Sequence, residues 1–345
     1  SGNLILELRN HWKTKEFHYK KGQVLALNTK AFGRKIKKED LKLVFTPEPR
    51  TSILDTAELK DSLVFTVLKN VKTKLRKVSL KDGAFLTTTL KLASSSSVVK
   101  LMDSSRKNNH LLFKAENYLK PSRLYFYDAN TKKKSLLKSL AGQFETKGMT
   151  LKQYWAKSAD GTKVPYFLVG KKSVIKKGKA PTILYGYGGF QIKLLPKYNP
   201  EIGKNWLEKG GLFVLANIRG GGEFGPDWHQ AALKEKRQKA YDDFIAVAED
   251  LIRRKVTTNK KLGIRGRSNG GLLVSAVMVQ RPDLFGAVSS IVPLIDMIRY
   301  TKLLAGASWI SEYGDPEKPE ERAYISKYSP YQNIKKDQNS FPSVF

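Results

Sequence analysis

The sequence contains no cysteine. Disulfide bonds, thiolate catalysis and cysteine-ligated metals are thereby excluded. The compartment stays open, because cysteine-free chains occur on both sides of a membrane. Histidine is nearly as scarce. His11, His18, His110 and His229 are the four, and their spacing does not suit a zinc site; no metal or cofactor is expected. No apolar run approaches the roughly 18 residues of a membrane span, so no membrane partner is expected. The start, Ser1-Gly2-Asn3-Leu4, has neither an initiator Met nor the charged-then-apolar pattern of a signal peptide. It reads as the interior of a longer protein or as a trimmed chain. Acidic residues are also few, 31 against 63 Lys and Arg, which leaves a formal charge of +32.

That charge admits two readings. One is an anionic partner such as nucleic acid. The other is a solvated, lysine-rich surface. Lysines are spread through both halves, and clusters such as Arg34 to Lys38 and Lys132 to Lys134 fall in expected loops. No RNA-binding aromatic signature accompanies them. The surface reading is favoured, and no specific nucleic-acid partner is expected.

With 345 residues and 41% apolar content, the chain can build two domains with sizeable cores. Residues 1–145 read as all-β. Short apolar runs such as Leu41 to Phe45 and Leu63 to Leu68 alternate with turns at Asp82-Gly83 and Ser94 to Ser97. This pattern fits a sandwich, a barrel or a propeller. Residues 146–345 change character. Asp160-Gly161 signals a hairpin, and strands then alternate with helices, which predicts a mostly parallel sheet covered on both faces. Gln238 to Lys255 is expected as an amphipathic helix, with Tyr241, Phe244, Ile245, Ala248, Leu251 and Ile252 inward. A helix is expected within Tyr198 to Lys209. Pro342-Ser343-Val344-Phe345 reads as the opening of another buried strand.

The stretch Ile264-Arg265-Gly266-Arg267-Ser268-Asn269-Gly270-Gly271 is a Gly-x-Ser-x-Gly motif between an expected strand and an expected helix. In that setting a serine hydroxyl stands exposed on a sharp turn, and the next backbone N–H, at a helix N-terminus, can receive an oxyanion. The bland alternative is a tight turn whose serine caps the helix. Arg219 to Glu223 lacks the ending of a phosphate loop and reads as a demanding turn.

Tyr185-Gly186-Tyr187-Gly188-Gly189-Phe190, Ala216 to Gly225, Gly266 to Leu273, Gln280 to Gly286 and Ala307 to Asp315 follow in this order. Together they resemble the prolyl oligopeptidase family of serine peptidases. The resemblance implies an α/β-hydrolase domain, here partial, preceded by the last blades of a β-propeller. It implies cleavage of short peptides, often after proline. Ser268 matches the nucleophile, with the Asn269 backbone and the Tyr187 hydroxyl as oxyanion donors. Trp309 matches the residue that stacks on a substrate proline, and Phe190, Leu294 and Tyr313 match the rest of that pocket. Val292-Pro293-Leu294-Ile295-Asp296-Met297 is similar to members less closely tied to proline, so the preference stays open. A related acylaminoacyl peptidase or esterase uses the same turn.

A serine needs a base, and in this hydrolase class the order is Ser, Asp or Glu, then His. All four histidines precede Ser268. His229 reads as structural. Asp283, Asp296, Asp315 and Asp337 follow Ser268, but none matches the family acid. The chain alone is therefore expected to hydrolyse poorly. It would be either part of an active enzyme or a split or decayed remnant that a C-terminal chain could complement. A cytoplasmic location is expected.

Overall fold

The computed structural model describes residues 2–94, 97–335 and 341–345. Ser95 and Ser96 of the expected turn, and Asp337, lie outside the described residues. The chain forms two compact units. One comprises Ser1–Asn117, Pro121–Leu140 and Phe224–Pro226; the other comprises Tyr118–Lys120, Ala141–Glu223 and Asp227–Phe345.

The first unit is built of antiparallel sheets. Thr51–Glu58, Leu63–Lys69, Lys72–Lys81 and Ala84–Leu90 form one four-stranded meander. Val98–Ser104, His110–Asn117, Lys120–Asp128 and Lys133–Ser139 form a second. Such four-stranded sheets are propeller blades. The hairpin turns explain themselves chemically: Asp82 and Gly83 both sit at positive φ, as a two-residue turn between twisted strands requires. Between the sheets lie Val64, Leu75, Leu101, Leu111 and Phe113. Lys133 and Lys134, expected in a loop, open a strand instead. Every residue of this edge strand is exposed, and charged lysines on an edge discourage pairing with another chain.

The second unit contains a seven-stranded sheet. Its strands are β1 (Met149–Lys157), β2 (Lys163–Lys171), β3 (Thr182–Tyr185), β4 (Leu212–Ala216), β5 (Leu262–Arg267), β6 (Ala287–Ile291) and β7 (Ser343–Val344), in the order β1-β2-β4-β3-β5-β6-β7. The β1–β2 hairpin pairs antiparallel with itself and with β4. From β4 onward every pair is parallel. Buried on both faces, β4 is an uninterrupted apolar run. Helix α1 (Gln238–Arg253) and helix α2 (Asn269–Gln280) pack on this sheet, and α3 (Pro319–Tyr328) adds Ile325 and Tyr328 to the same core.

Helix α1 buries Tyr241, Phe244, Ala248 and Leu251 as expected, but Val247 takes the inner position that Ile245 and Ile252 only border. Asp243 and Asp250 are buried on it as well. The helix expected between Tyr198 and Lys209 is a single turn, Pro200–Ile202, running into a π-helical stretch, Gly203–Leu207. The strand expected at Pro342 does pair, but it is not buried: Val344 is 53% and Phe345 81% exposed. Among the described residues it pairs in parallel with β6.

Candidate active site

The serine turn owes its shape to glycine. Strand β5 stops at Arg267 and helix α2 starts at Asn269, so one residue must reverse the chain. Ser268 does so at φ 57° and ψ −119°, a conformation that side chains rarely adopt. The turn closes because Gly266 lies against Gly270, where an added Cβ would fall 1.9 Å from the Gly270 carbonyl oxygen. The Ser268 N–H donates to the Ile291 carbonyl at 2.9 Å, and its carbonyl accepts from Leu272 N at 3.0 Å. The hydroxyl does not cap its own helix. Its electrostatic partner is instead the Tyr187 phenol, which the serine hydroxyl pulls towards lower pKa. The capping alternative is thereby set aside.

Tyr187 stands in the loop that leaves β3. Burial pushes its phenol above the usual value, while the Ser268 hydroxyl pulls it down. Burial is the larger effect, so the hydroxyl stays protonated and can donate across the neutral range. The first N–H groups of α2 have no partner inside the helix, and the helix dipole makes that end favourable to negative charge. A neutral O–H and a helix N-terminus are the kinds of group that suit a developing oxyanion.

Asn269 contributes more than its backbone. Its buried side-chain amide donates to the Tyr187 carbonyl at 2.6 Å. Its oxygen accepts from the Tyr313 hydroxyl at 2.7 Å and from Arg237. Gly189 permits this approach, since a Cβ there would sit 2.6 Å from the amide nitrogen. The residue after the serine therefore ties the serine turn to the tyrosine loop.

Of the expected pocket residues, Phe190 and Tyr313 meet edge to face with ring centroids 5.7 Å apart. Tyr313 is fully buried, so it supports the site from beneath. Trp309 and Leu294 are half-buried against the main core. No hydrogen bond or ring contact among the described residues joins them to the Ser268 set.

Three side chains complete the site that the sequence did not single out for it. Glu312, buried, accepts from the Phe190 N–H at 2.9 Å and from the Arg237 guanidinium at 3.2 Å. Its other oxygen lies 2.8 Å from His229 Nε2. Arg237 is wholly buried and reaches Asn269 with its second amino group. Glu312 lies inside the quoted stretch Ala307 to Asp315, which was the available signal. Arg237 follows Lys234 and Lys236 and looks like one more surface cation. The later carboxylates are occupied elsewhere: Asp283 with Arg281, and Asp296 with Arg299 and Gln332.

The turn at Arg219 to Glu223 braces the same loop from the other side. Gly220 sits at φ 89°, and a Cβ there would lie 2.2 Å from the Gly188 carbonyl oxygen. Arg219 Nε donates to Asp243 at 2.9 Å, and its amino groups also reach Asp160 and Ser158.

The chain matches the sequence profile of the prolyl oligopeptidase family over residues 201–342. It matches that of the prolyl oligopeptidase N-terminal β-propeller domain over residues 9–140. It is 44% identical over 337 residues to an uncharacterized peptidase of Sinorhizobium fredii, covering 97% of this chain and 46% of that protein. To a prolyl endopeptidase of Elizabethkingia miricola it is 38% identical over 231 residues, covering 67% of this chain and 33% of that one. Its fold superposes on a post-proline cleaving enzyme from Rickettsia typhi with a TM-score of 0.91 and 39% identity, over 99% of this chain and 50% of that chain. The chain thus spans about half the length of the curated relatives it matches, or less.

Proposed function

The chain belongs to the prolyl oligopeptidase family of serine peptidases, and from that premise we propose that Ser268 is the nucleophile of a peptidase acting on short peptides, with proline accepted on the acyl side of the scissile bond. The Ser268 oxygen attacks the carbonyl carbon, and its proton passes to a base. The carbonyl oxygen gathers negative charge between the Asn269 N–H and the Tyr187 O–H. Collapse expels the amine, which takes up that proton, and leaves an ester on Ser268 that water then hydrolyses. Phe190, Leu294 and Trp309 offer apolar surface for a flat ring.

One observation carries this reading. The Ser268 hydroxyl stands on a strained turn without capping its own helix, and its electrostatic partner is the Tyr187 phenol. The base is a separate matter. His229, the histidine nearest in sequence, is engaged with Glu312, and all four histidines precede Ser268, against the chain order of this hydrolase class. We assign the base to residues outside this sequence, in the same polypeptide or a second one. This sequence alone then turns over slowly.

A fluorophosphonate probe on the full-length gene product tests the assignment. Ser268→Ala should abolish labelling, and Tyr187→Phe should slow it by about 100-fold, the loss typical of one oxyanion donor. Undiminished labelling of Ser268→Ala would refute the nucleophile. Rates on matched prolyl, lysyl and acyl-ester substrates distinguish a proline-directed peptidase from an esterase of the same fold.

A further inference from the structure

The side chains beneath the oxyanion donors form a closed ring. Tyr187 and Phe190 stand three residues apart on one loop. Asn269 holds the Tyr187 carbonyl at 2.6 Å, and Glu312 holds the Phe190 N–H at 2.9 Å. Arg237 joins these two holders, donating to Glu312 at 3.2 Å and to the Asn269 side-chain oxygen. The loop is thus gripped at both ends, and one guanidinium sets the spacing of the grips. Phe190 itself sits at φ 56°, a strained conformation that its surroundings must enforce.

A pair this buried is a poor source of stability. Arg237 is 0% and Glu312 4% exposed, and apolar residues of similar volume would often serve as well or better. A planar, forked cation between two acceptors does supply fixed geometry. We propose that Arg237 and Glu312 are positioning residues that hold the Tyr187 hydroxyl over Ser268. The proposal rests on the peptidase reading given above. His229 occupies the second oxygen of Glu312, leaving the first to Arg237 and Phe190.

The test is a double-mutant cycle in the full-length protein, using hydrolysis of a glycyl-prolyl p-nitroanilide. Arg237→Met should lower kcat about 30-fold and change KM less than about threefold, since only a transition-state contact is misplaced. In the Tyr187→Phe background the same change should cost less than about threefold, because the hydroxyl it positions is gone. Arg237→Lys should recover part of the loss. Glu312→Gln, which keeps the volume and an acceptor, provides a second cycle if Arg237→Met does not fold; it should lower kcat about tenfold and show the same non-additivity. Equal losses in both backgrounds, or an unchanged kcat with a lowered melting temperature, would overturn the proposal alone. Turnover of Ser268→Ala at the wild-type rate would overturn the peptidase reading, and this inference with it.

Discussion

The two compact units treat charge in opposite ways. In the first, ion pairs sit mostly in water: Lys35 and Glu16, at 3.3 Å, are 82% and 42% exposed. In the second, the pairs that matter are dry: Arg219 and Asp243 are 4% and 0% exposed. An exposed pair gains little, because water and salt screen it. A buried pair has lost its hydration and depends on its partner. The difference teaches that net charge says little about where charge acts. The chain carries a net charge of +32, yet a few buried cations, Arg219 and Arg237, fix the loops around Ser268.

The strongest way to break the comparison is Asp243→Ala. It removes the buried carboxylate that both the N–H and the guanidinium of Arg219 use, leaving the 40%-exposed Asp160 as the remaining acid against that cation. Denaturant unfolding should show a loss of about 3–5 kcal/mol. A loss below about 1 kcal/mol would place the pair with the surface ones.

Next comes pH. Burial pushes the Glu223 carboxyl up to about 7 from an ordinary 4.5. The folded state then holds the proton more tightly than the unfolded one. Its contribution is complete below about pH 4.5 and fades as pH rises through about 7, by about 3 kcal/mol in all. Glu223→Gln cannot ionise, so its unfolding midpoint should drop less than the wild type's between about pH 5 and about pH 8. Parallel pH profiles would show that Glu223 does not titrate in this window.

The smallest effect belongs to the first unit. Lys35→Ala should change stability by no more than about 0.5 kcal/mol. A larger loss, measured by the same unfolding titration, would mean that exposed pairs also carry structure here.

The serine turn was legible because its steric demands leave a mark in the sequence. Where a Cβ cannot fit, glycine must stand, and Gly266 and Gly270 bracket Ser268 accordingly. Helix α1 was legible from its apolar spacing. Its buried acids were not. Apolar spacing does not reveal Asp243 and Asp250, whose partners, Arg219 and Tyr166, are 24 and 84 residues away. Arg237 and Glu312 escaped notice for the same reason, being 75 residues apart. In the first unit, strands Thr51–Glu58 and Ala84–Leu90 were not picked out. Their threonines and acids interrupt the apolar signal, and pairing with neighbours defines them instead. For the buried charges, distance along the chain hid the partners, whereas for these strands the residue types themselves hid the element.

The backbone at Ser268 sets stability against chemistry at one residue. Holding a side chain at that φ and ψ costs on the order of 1–3 kcal/mol, and glycine would be free of that strain. The fold on its own terms would thus choose glycine at 268, while the proposed reaction requires the hydroxyl. Any lineage that kept the shape but no longer needed the reaction would have a downhill step available at this codon.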